Sequence, residues 1–332
     1  MLSPMKHLRR PSLKQILLSG IGGSVGIMGV LFAVALYIVE TLIRPGKRSI
    51  FDGYTFSPYE LELPGEAVTF SSLHGDHQVS GWYIPHEGAT TTILVCPGYR
   101  SHKSDGLGIG AFLWRAGHNV LLFDYYGHGA PVGKPVTLGY REINDFLGAV
   151  AYAKERAPQT RLGAIGYSMG AAIAIMATAR EPAIEALVAD SAFATHLSAV
   201  NYNVRRTIRM PSTPFVWLAD YLLWVRAGYR FHQVEPIRDV SHIAPRPILI
   251  IHGGKDSMVD PQDAPLLYAA AKEPKELWQL PDADHCGAYF VDRIAYTQRI
   301  NNFFNEHLRK PRLQLLESSG DAQSAHPGNE AG

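Results

Sequence analysis

The chain has 332 residues, of which 46% are hydrophobic, and its formal net charge is +1 at pH 7. A chain of this length and apolar content can bury one large core or two modest ones. The small net charge and the lack of a long basic tract argue against a nucleic-acid-binding protein. With two cysteines, Cys96 and Cys286, the chain is not a disulfide-dense scaffold, and a bridge between the two stays open.

The first feature along the chain is an uncharged apolar run that follows a basic segment at residues 1–15. Residues 16–39 carry no formal charge over 24 positions, which is long enough to cross a bilayer as a helix. Four basic residues precede the run and three follow it, so the positive-inside rule favours a cytoplasmic N-terminus. We therefore expect a single-pass anchor at 16–39, with the main domain on the non-cytoplasmic side. The alternative is a signal peptide cleaved at Ala33-Val34-Ala35, but the apolar run continues beyond that site.

After a predicted connector at 40–66, strand and helix signals alternate through a domain at residues 67–308. The first two strands flank a polar turn and predict an antiparallel hairpin at one edge. Later apolar runs alternate with helical stretches, which is typical of a mostly parallel sheet covered on both faces. Helices are predicted at 105–116, 140–155 and 169–180. The strands, about eight in all, include 67–73, 78–84, 91–96, 119–124, 162–166, 187–190, 247–252 and 277–280.

One connection is much longer than the others and is rich in aromatic residues. The insertion at residues 191–236 contains Trp217, Tyr221 and Trp224. A long insertion in a domain with short loops is usually functional, so we predict a lid whose aromatic side chains bind substrate in an apolar pocket. The alternative is that these side chains belong to the ordinary core. The polar tail at 309–332 is predicted to be disordered.

The pentapeptide Gly166-Tyr167-Ser168-Met169-Gly170 lies between a predicted strand and a run of small apolar residues. A G-x-S-x-G pattern in that context predicts a nucleophile elbow, a sharp turn that presents the serine. A side chain at either glycine would collide with the neighbouring strand or helix. The alternative is a chance match, in which Ser168 is an ordinary serine at a helix N-terminus.

A serine hydroxyl needs a histidine to take its proton and a carboxylate to orient that histidine. Asp256 follows an apolar strand and a glycine turn, and His285 follows the last predicted strand. Both would therefore lie at the same sheet edge as Ser168. Their order along the chain, serine, then acid, then histidine, is the one that accompanies a nucleophile elbow. The alternatives are Asp190 and Asp260 for the acid, and His252 for the base.

Two backbone amides are predicted to form an oxyanion hole beside Ser168. One belongs to Met169, directly after the serine, and the other to Tyr99, in the loop after the strand that ends at Cys96. The dipole of the helix that begins after Ser168 would add to this field. A possible metal cluster near the first hairpin is explained more simply by a polar turn, so no metal and no cofactor are predicted. The residues of that cluster are His74, Asp76, His77 and His86.

Five segments in order resemble the signature blocks of the α/β-hydrolase superfamily. Within it, the chain is most similar to membrane-anchored serine hydrolases and their bacterial relatives, which are often grouped near prolyl oligopeptidases or lysophospholipases. The resemblance covers about residues 67–308 and is specific for the fold and the triad, but not for the substrate. The blocks are 96–99, 124–129, 166–170, 252–256 and 284–285.

The resemblance implies that Ser168 is the nucleophile, His285 the general base and then acid, and Asp256 the orienting acid. Tyr99 and Met169 would donate to the oxyanion in a two-step acyl transfer. Tyr99 stands where many lipases carry a longer glycine run, which argues against bulky tertiary alcohols as substrates. We expect an ester or thioester substrate with a lipid-like acyl group. A peptidase or aminoacyl hydrolase and a non-catalytic membrane scaffold are the alternatives, and the oligomeric state stays open.

Overall fold

A computed structural model describes residues 13–44, 56–128, 135–208 and 213–309. In these ranges, eight strands form one sheet in the order β1-β2-β4-β3-β5-β6-β7-β8. The number agrees with the sequence prediction. The strands are β1 Glu66–Ser71, β2 Gln78–Ile84, β3 Thr91–Cys96, β4 Asn119–Phe123, β5 Arg161–Tyr167, β6 Ile184–Asp190, β7 Ile248–Gly253 and β8 Lys275–Leu280.

The sheet is antiparallel at one edge and parallel elsewhere. β1 pairs antiparallel with β2, and β2 pairs antiparallel with β4, whereas all remaining neighbours are parallel. Every residue of β3, β4 and β7 is buried, as expected for strands that are covered on both faces. The predicted hairpin and the mostly parallel sheet are therefore confirmed.

Helices pack on both faces of the sheet and create two apolar cores. One core includes side chains such as Phe146 and Ile173, and the other includes Leu113 and Phe304. The helices are α1 Leu13–Ile43, α2 Leu107–Arg115, α3 Ile143–Arg156, α4 Met169–Thr178, α5 His196–Ile208, α6 Thr213–Ala227, α7 Pro236–Asp239, α8 Asp263–Ala270, α9 Ala288–Val291 and α10 Arg293–Phe304.

The helix predicted from residue 140 begins later, at Ile143. The backbone before it has positive φ at Leu138 (48°) and Gly139 (121°). The Glu142 carboxylate accepts from the amides of Thr137 and Gly139, and residues 138–142 form turns before α3 starts. The predicted helix at 105–116 likewise divides into a 3₁₀ turn, Lys103–Gly106, and α2.

The N-terminal helix α1 ends at Ile43, so the segment expected to be a connector from residue 40 begins inside the helix. Ala35, Val39 and Ile43 are buried in the domain core, and the amide of Val136 donates to the carbonyl of Ile43 at 3.0 Å. The C-terminal part of α1 is thus packed into the core of the domain.

The membrane span expected at 16–39 stays a prediction. Among the residues that the structure describes, no helix combines the length and the apolar character needed to cross a bilayer. The side chains of residues 16–25 and 27 lie outside that description, as do residues 1–12 and the predicted tail beyond residue 309.

The long insertion at 191–236 folds into α5, α6 and short helical turns, with residues 209–212 outside the description. Helix α6 packs along α1, and the guanidinium of Arg226 donates from Nε to the Glu40 carboxylate at 2.8 Å. Helices α1, α5 and α6 therefore form one layer above the end of the sheet that carries Ser168.

Candidate active site

Ser168 occupies a strained turn between β5 and α4, with φ 53° and ψ −118°. A positive φ is rare for a residue with a side chain and marks a conformation that the surroundings must hold. A Cβ on Gly166 would lie 2.5 Å from the carbonyl oxygen of Gly170, and a Cβ on Gly170 would lie 2.3 Å from the carbonyl oxygen of Pro97. Glycine is therefore required at both positions, as expected from the sequence.

Three side chains from different loops form a continuous hydrogen-bonded series at this turn. The Ser168 Oγ atom lies 2.9 Å from Nε2 of His285, and Nδ1 of His285 lies 2.8 Å from Oδ2 of Asp256. An Nδ1–H that donates to the carboxylate leaves Nε2 free to accept the serine proton. The arrangement can thus move a proton from the Ser168 hydroxyl to an imidazole that a buried carboxylate orients.

The Asp256 carboxyl group is buried but well supplied with donors. Its Oδ1 atom accepts from the amides of Met258 and Val259, both at 2.8 Å, and Nε2 of the buried His252 lies 3.2 Å from Oδ2. Burial alone would raise the pKa of Asp256, but the contact with His252 and the hydrogen bond with His285 outweigh it and hold that pKa well below its ordinary value. Asp256 is therefore ionised and can stabilise a positive charge on His285.

The alternative acids have other partners. Asp190, at the end of β6, accepts from the Tyr296 hydroxyl at 2.6 Å and from the Ser191 hydroxyl at 2.9 Å. The side chain of Asp260 accepts from the amide of Gln262 at 3.0 Å, and this hydrogen bond caps the turn before α8. The structure thus brings Asp256 to His285, and neither alternative acid takes that place.

The loop after β3 passes directly over the nucleophile. A Cβ on Gly98 would lie 3.3 Å from the carbonyl oxygen of Tyr167 and 3.4 Å from Cβ of Ser168, so the chain approaches closely here. Tyr99 and Met169, the residues expected to donate to an oxyanion, both border a cavity that opens on Ser168. The Tyr99 hydroxyl donates to the carbonyl of Thr41 at 2.5 Å, and burial raises the pKa of Tyr99 to about 12. The loop is thereby tied to α1.

Two cavities meet at Ser168. The histidine-side cavity has a volume of about 490 Å³ and contains His285, Lys103 and Tyr289 in its wall. The α1 cavity has a volume of about 540 Å³ and contains Met169, but not His285, in its wall. Ser168, Tyr99 and Met258 line both. The remaining walls of the α1 cavity come from α1 (Val34, Tyr37, Ile38, Thr41, Leu42), from α5 (His196, Ala199, Val200, Asn203, Val204, Thr207) and from Arg100, Leu138, Phe193 and Val259.

The aromatic residues expected to bind substrate lie elsewhere. Trp217, Tyr221 and Trp224 line neither cavity, and 76%, 47% and 50% of their respective surfaces are exposed. The insertion does contribute to a cavity wall, but it does so through α5 rather than through these residues of α6. The face of α6 that packs against the domain uses Phe215, Ala219 and Leu223 instead.

Sequence reasoning missed the part of α1 that lines the cavity and also missed His196. The His196 ring is 1% exposed, neither of its nitrogens has a hydrogen-bond partner among the described residues, and burial lowers its pKa to about 4. Its neighbours are the rings of Phe193, Tyr229 and Phe231. No motif surrounds His196 that would have distinguished it from any other helix-start histidine.

The described residues include no cluster of acidic, histidine or cysteine side chains that could hold a metal ion. His77, from the polar turn between β1 and β2, instead lies 2.6 Å from Oδ1 of Asp145, measured from Nε2. Cys96 and Cys286 are both free thiols, which answers the question of a bridge between them.

Comparison with known proteins relates this geometry to other chains. A family model described as "Serine aminopeptidase, S33" matches residues 88–219. Uncharacterized protein YfhR of Salmonella typhi is 31% identical over 277 residues, which cover 77% of this chain and 86% of that protein. Uncharacterized protein YqkD of Bacillus subtilis is 27% identical over 263 residues, covering 78% of this chain and 85% of that protein. A solved structure of the Pyrococcus furiosus esterase Pf2001 superimposes with a TM-score of 0.67 at 25% identity, covering 80% of this chain and 98% of that one.

Proposed function

Because this chain belongs to the α/β-hydrolase superfamily, we propose that it is a serine hydrolase that cleaves a carboxylic ester or thioester with an apolar acyl group. The observation that carries the proposal is the hydrogen-bonded series from Ser168 through His285 to Asp256 at the meeting point of two cavities. In this proposal the three residues are a catalytic triad.

Acylation begins when Nε2 of His285 takes the proton of the Ser168 hydroxyl as Oγ attacks the carbonyl carbon of the substrate. The negative charge on the carbonyl oxygen is stabilised by the amides of Tyr99 and Met169 and by the N-terminus of α4. The bond to the leaving group then breaks, and the proton passes from His285 to the departing oxygen or sulfur. The product is an acyl ester of Ser168.

Deacylation repeats these steps with water as the nucleophile. His285 takes a proton from water, the hydroxide attacks the acyl carbon, and the bond between that carbon and Ser168 Oγ breaks. The proton returns to Ser168, and a carboxylic acid leaves. Asp256 stays ionised throughout and stabilises the imidazolium form of His285, consistent with its lowered pKa.

The peptidase alternative has its own support in the family model described as a serine aminopeptidase. An aminopeptidase needs a free carboxylate close to the nucleophile to bind the ammonium group of its substrate. Asp105, which lies in the wall of the histidine-side cavity, already accepts from the Ser101 hydroxyl at 2.5 Å and from the His102 amide at 2.9 Å. This engagement, together with the apolar α1 cavity and the likeness to an esterase, favours the ester or thioester.

The same proposal places the protein on a membrane through α1, as a single-pass protein with the catalytic domain on the non-cytoplasmic side. Its support is the uncharged run at 16–39, whose first 18 residues precede the part of α1 that packs against the domain, and the exposed aromatic side chains of the adjacent α6, since Trp and Tyr favour membrane interfaces. Protease digestion of sealed vesicles tests it. In inside-out vesicles we expect the catalytic domain to be protected. Its digestion there would contradict the non-cytoplasmic side, and release of the protein by alkaline carbonate would contradict the anchor.

Labelling with a fluorophosphonate tests the enzyme itself. The probe should label wild-type protein at Ser168 and should not label the Ser168→Ala variant, because Ser168 is the hydroxyl that lies 2.9 Å from His285. Hydrolysis of 4-nitrophenyl esters should fall about 10⁴-fold or more in that variant. A Ser198→Ala variant, which alters a serine of α5 that bonds Asp263, serves as the matched control and should still be labelled. Equal labelling of wild type and Ser168→Ala would exclude the proposed nucleophile.

The substrate class is tested by comparing acyl esters with aminoacyl 4-nitroanilides at equal concentration. We expect kcat/KM to be larger for the esters. A larger kcat/KM for the aminoacyl substrates would favour the peptidase, and labelling without turnover of either substrate would exclude both.

A further inference from the structure

We infer that helix α1 is one wall of the acyl-binding site, so that the acyl group of the substrate lies between α1 and α5 while the leaving group occupies the histidine-side cavity. This inference rests on the proposed function and assigns the two sides of its substrate. It gives the N-terminal helix a part in substrate selection in addition to its proposed part as an anchor.

The position of His285 decides which side takes the leaving group. A general acid must reach the departing oxygen, and His285 lines only one of the two cavities beside Ser168. The leaving group must therefore lie in the histidine-side cavity. That cavity also carries the polar side chains of Ser101, His102 and Lys103, which suit an alcohol or a head group better than a hydrocarbon chain.

The acyl group then extends to the other side, into the α1 cavity. Met169, whose amide is the proposed oxyanion donor, is part of the wall of that cavity next to Ser168. Val34, Ile38 and Leu42 of α1 face Val200 and Val204 of α5 across it. A largely apolar channel between two helices is a suitable site for a hydrocarbon chain, because it removes the chain from water against aliphatic side chains.

The spacing along α1 gives the length of the site. Val34, Ile38 and Leu42 are four residues apart and therefore lie on one face of the helix. With a rise of about 1.5 Å per residue, the stretch from Val34 to Leu42 spans about 12 Å, the length of an extended acyl chain of about ten carbons. The site thus fits a medium-length acyl group.

Several contacts hold this wall in place. The Tyr99 hydroxyl bonds the Thr41 carbonyl, Glu40 pairs with Arg226, and the Ile43 carbonyl accepts from the amide of Val136. The first of these contacts joins α1 to the very residue that supplies a proposed oxyanion donor. The wall and the reaction centre are therefore positioned relative to each other by a direct hydrogen bond.

Filling the channel tests the inference. In the full-length protein, Val34→Trp and Ile38→Trp should lower the ratio of kcat/KM on the octanoyl or decanoyl ester to that on the acetyl ester. The expected decrease is roughly 10-fold, the effect of losing the burial of about two methylene groups. Ala33→Trp is the matched control, because Ala33 is exposed and lines neither cavity, and it should leave the ratio and the activity unchanged.

A variant in the histidine-side cavity tests the proposed orientation of the substrate. Gly108 lines the histidine-side cavity, and a side chain added there would point toward the Tyr289 hydroxyl, 3.1 Å from an added Cβ. Gly108→Leu should change the preference among leaving groups at constant acyl chain and should not change the acyl-length profile. An altered acyl-length profile in Gly108→Leu, or an unaltered one in soluble, folded Val34→Trp, would overturn the inference.

Two further measurements keep the outcomes separate. If a tryptophan variant does not fold, Ile38→Ala takes its place and should shift the optimum toward longer acyl chains. Fluorophosphonate labelling of Ser168 reports on the proposed function alone. Labelled protein with an unchanged acyl profile overturns only the inference about α1, whereas loss of labelling in wild type overturns the proposed hydrolase as well.

Discussion

The ends of the neighbouring strands β6 and β7 each carry a buried aspartate, and the two carboxyl groups behave in opposite ways. Burial raises the pKa of Asp190, at the end of β6, and the hydroxyls that bond it do not offset that effect. Beyond the end of β7, hydrogen bonds overcome burial and lower the pKa of Asp256. The two carboxyl groups share residue type and depth, and they differ in the donors that surround them.

The difference shows what makes a buried carboxyl group useful to a histidine. Asp256 accepts from two backbone amides and contacts two imidazoles, and these groups compensate its charge. Asp190 accepts from neutral hydroxyls, and its backbone carbonyl accepts from the amide of Ser168. One aspartate is suited to electrostatic stabilisation and the other to holding the nucleophile's turn in place.

Replacing the β7 aspartate should have the largest effect. Asp256→Asn should lower kcat for ester hydrolysis about 10⁴-fold, because an amide cannot stabilise the imidazolium and would favour the wrong tautomer of His285. The measurement is steady-state hydrolysis of a 4-nitrophenyl ester, with circular dichroism to confirm folding. Asp260→Asn, four residues along, retains a capping oxygen and should keep kcat within a factor of two; a similar loss in both variants would contradict the assignment.

Removing a hydrogen-bond donor from Asp190, at the end of β6, should affect the stability of the protein more than its catalysis. Tyr296→Phe removes the hydroxyl that donates to Asp190 and leaves a buried carboxyl oxygen without that donor. We expect the free energy of unfolding to fall by about 1–3 kcal/mol, measured with urea. The expected loss of kcat is much smaller than in Asp256→Asn. A 10³-fold loss of kcat at unchanged stability would instead give Asp190 the role assigned to Asp256.

The smallest expected effect is a difference between Asp256 and Asp190 in how their contributions to the free energy of unfolding depend on pH. The folded pKa of Asp256 is lowered, so its contribution to stability is present above the unfolded pKa of about 3.9 and is lost as pH falls toward the folded value. The folded pKa of Asp190 is raised, so its contribution is present at low pH and is lost as pH rises from about 3.9 through the folded value.

Urea unfolding between about pH 2 and 7 measures both contributions. The stability difference between wild type and Asp256→Asn should shrink as pH falls, whereas the difference between wild type and Asp190→Asn should shrink as pH rises. Parallel curves for the two variants would show that the two carboxyl groups do not differ in the way their donors indicate.

Much of the sheet and of the site around Ser168 could be predicted from the sequence. Buried parallel strands appear as continuous apolar runs, and glycine at 166 and 170 is required by backbone contacts that any elbow of this kind must make. The order of serine, acid and histidine then places three side chains at one sheet edge. Those features are local in the sequence or follow from topology.

The choice between Asp256 and Asp190 was harder, because both follow strands that end at the same edge. It depends on which carboxyl group meets the amides of Met258 and Val259 and the imidazole of His285, and those contacts form only after folding. Sequence spacing favoured Asp256 but left Asp190 and Asp260 open.

The layer made of α1, α5 and α6 was the least predictable part. An apolar helix face has the same sequence pattern whether it meets lipid or protein, so nothing in residues 34–42 indicates that they line a cavity. The aromatic run of α6 predicted a pocket, but its Trp217, Tyr221 and Trp224 are exposed because the smaller side chains of that helix fill the interface. The aromatic-rich composition of the insertion indicated that this layer is important. It did not indicate which face of each helix packs against the domain or lines the cavity.

The packing of α1 has a consequence for any proteolytic release of the protein. In the motif Ala33-Val34-Ala35, which resembles a leader-peptidase site, Ala33 is exposed, Val34 lines the α1 cavity and Ala35 is fully buried in the domain. Cleavage there would remove Val34 and leave Ile38 and Leu42 on a shortened helix end that is prone to fraying. A shed form would thus retain Ser168, His285 and Asp256 but lose selectivity for longer acyl chains, so that shedding would act as a change of substrate range rather than as a simple change of location.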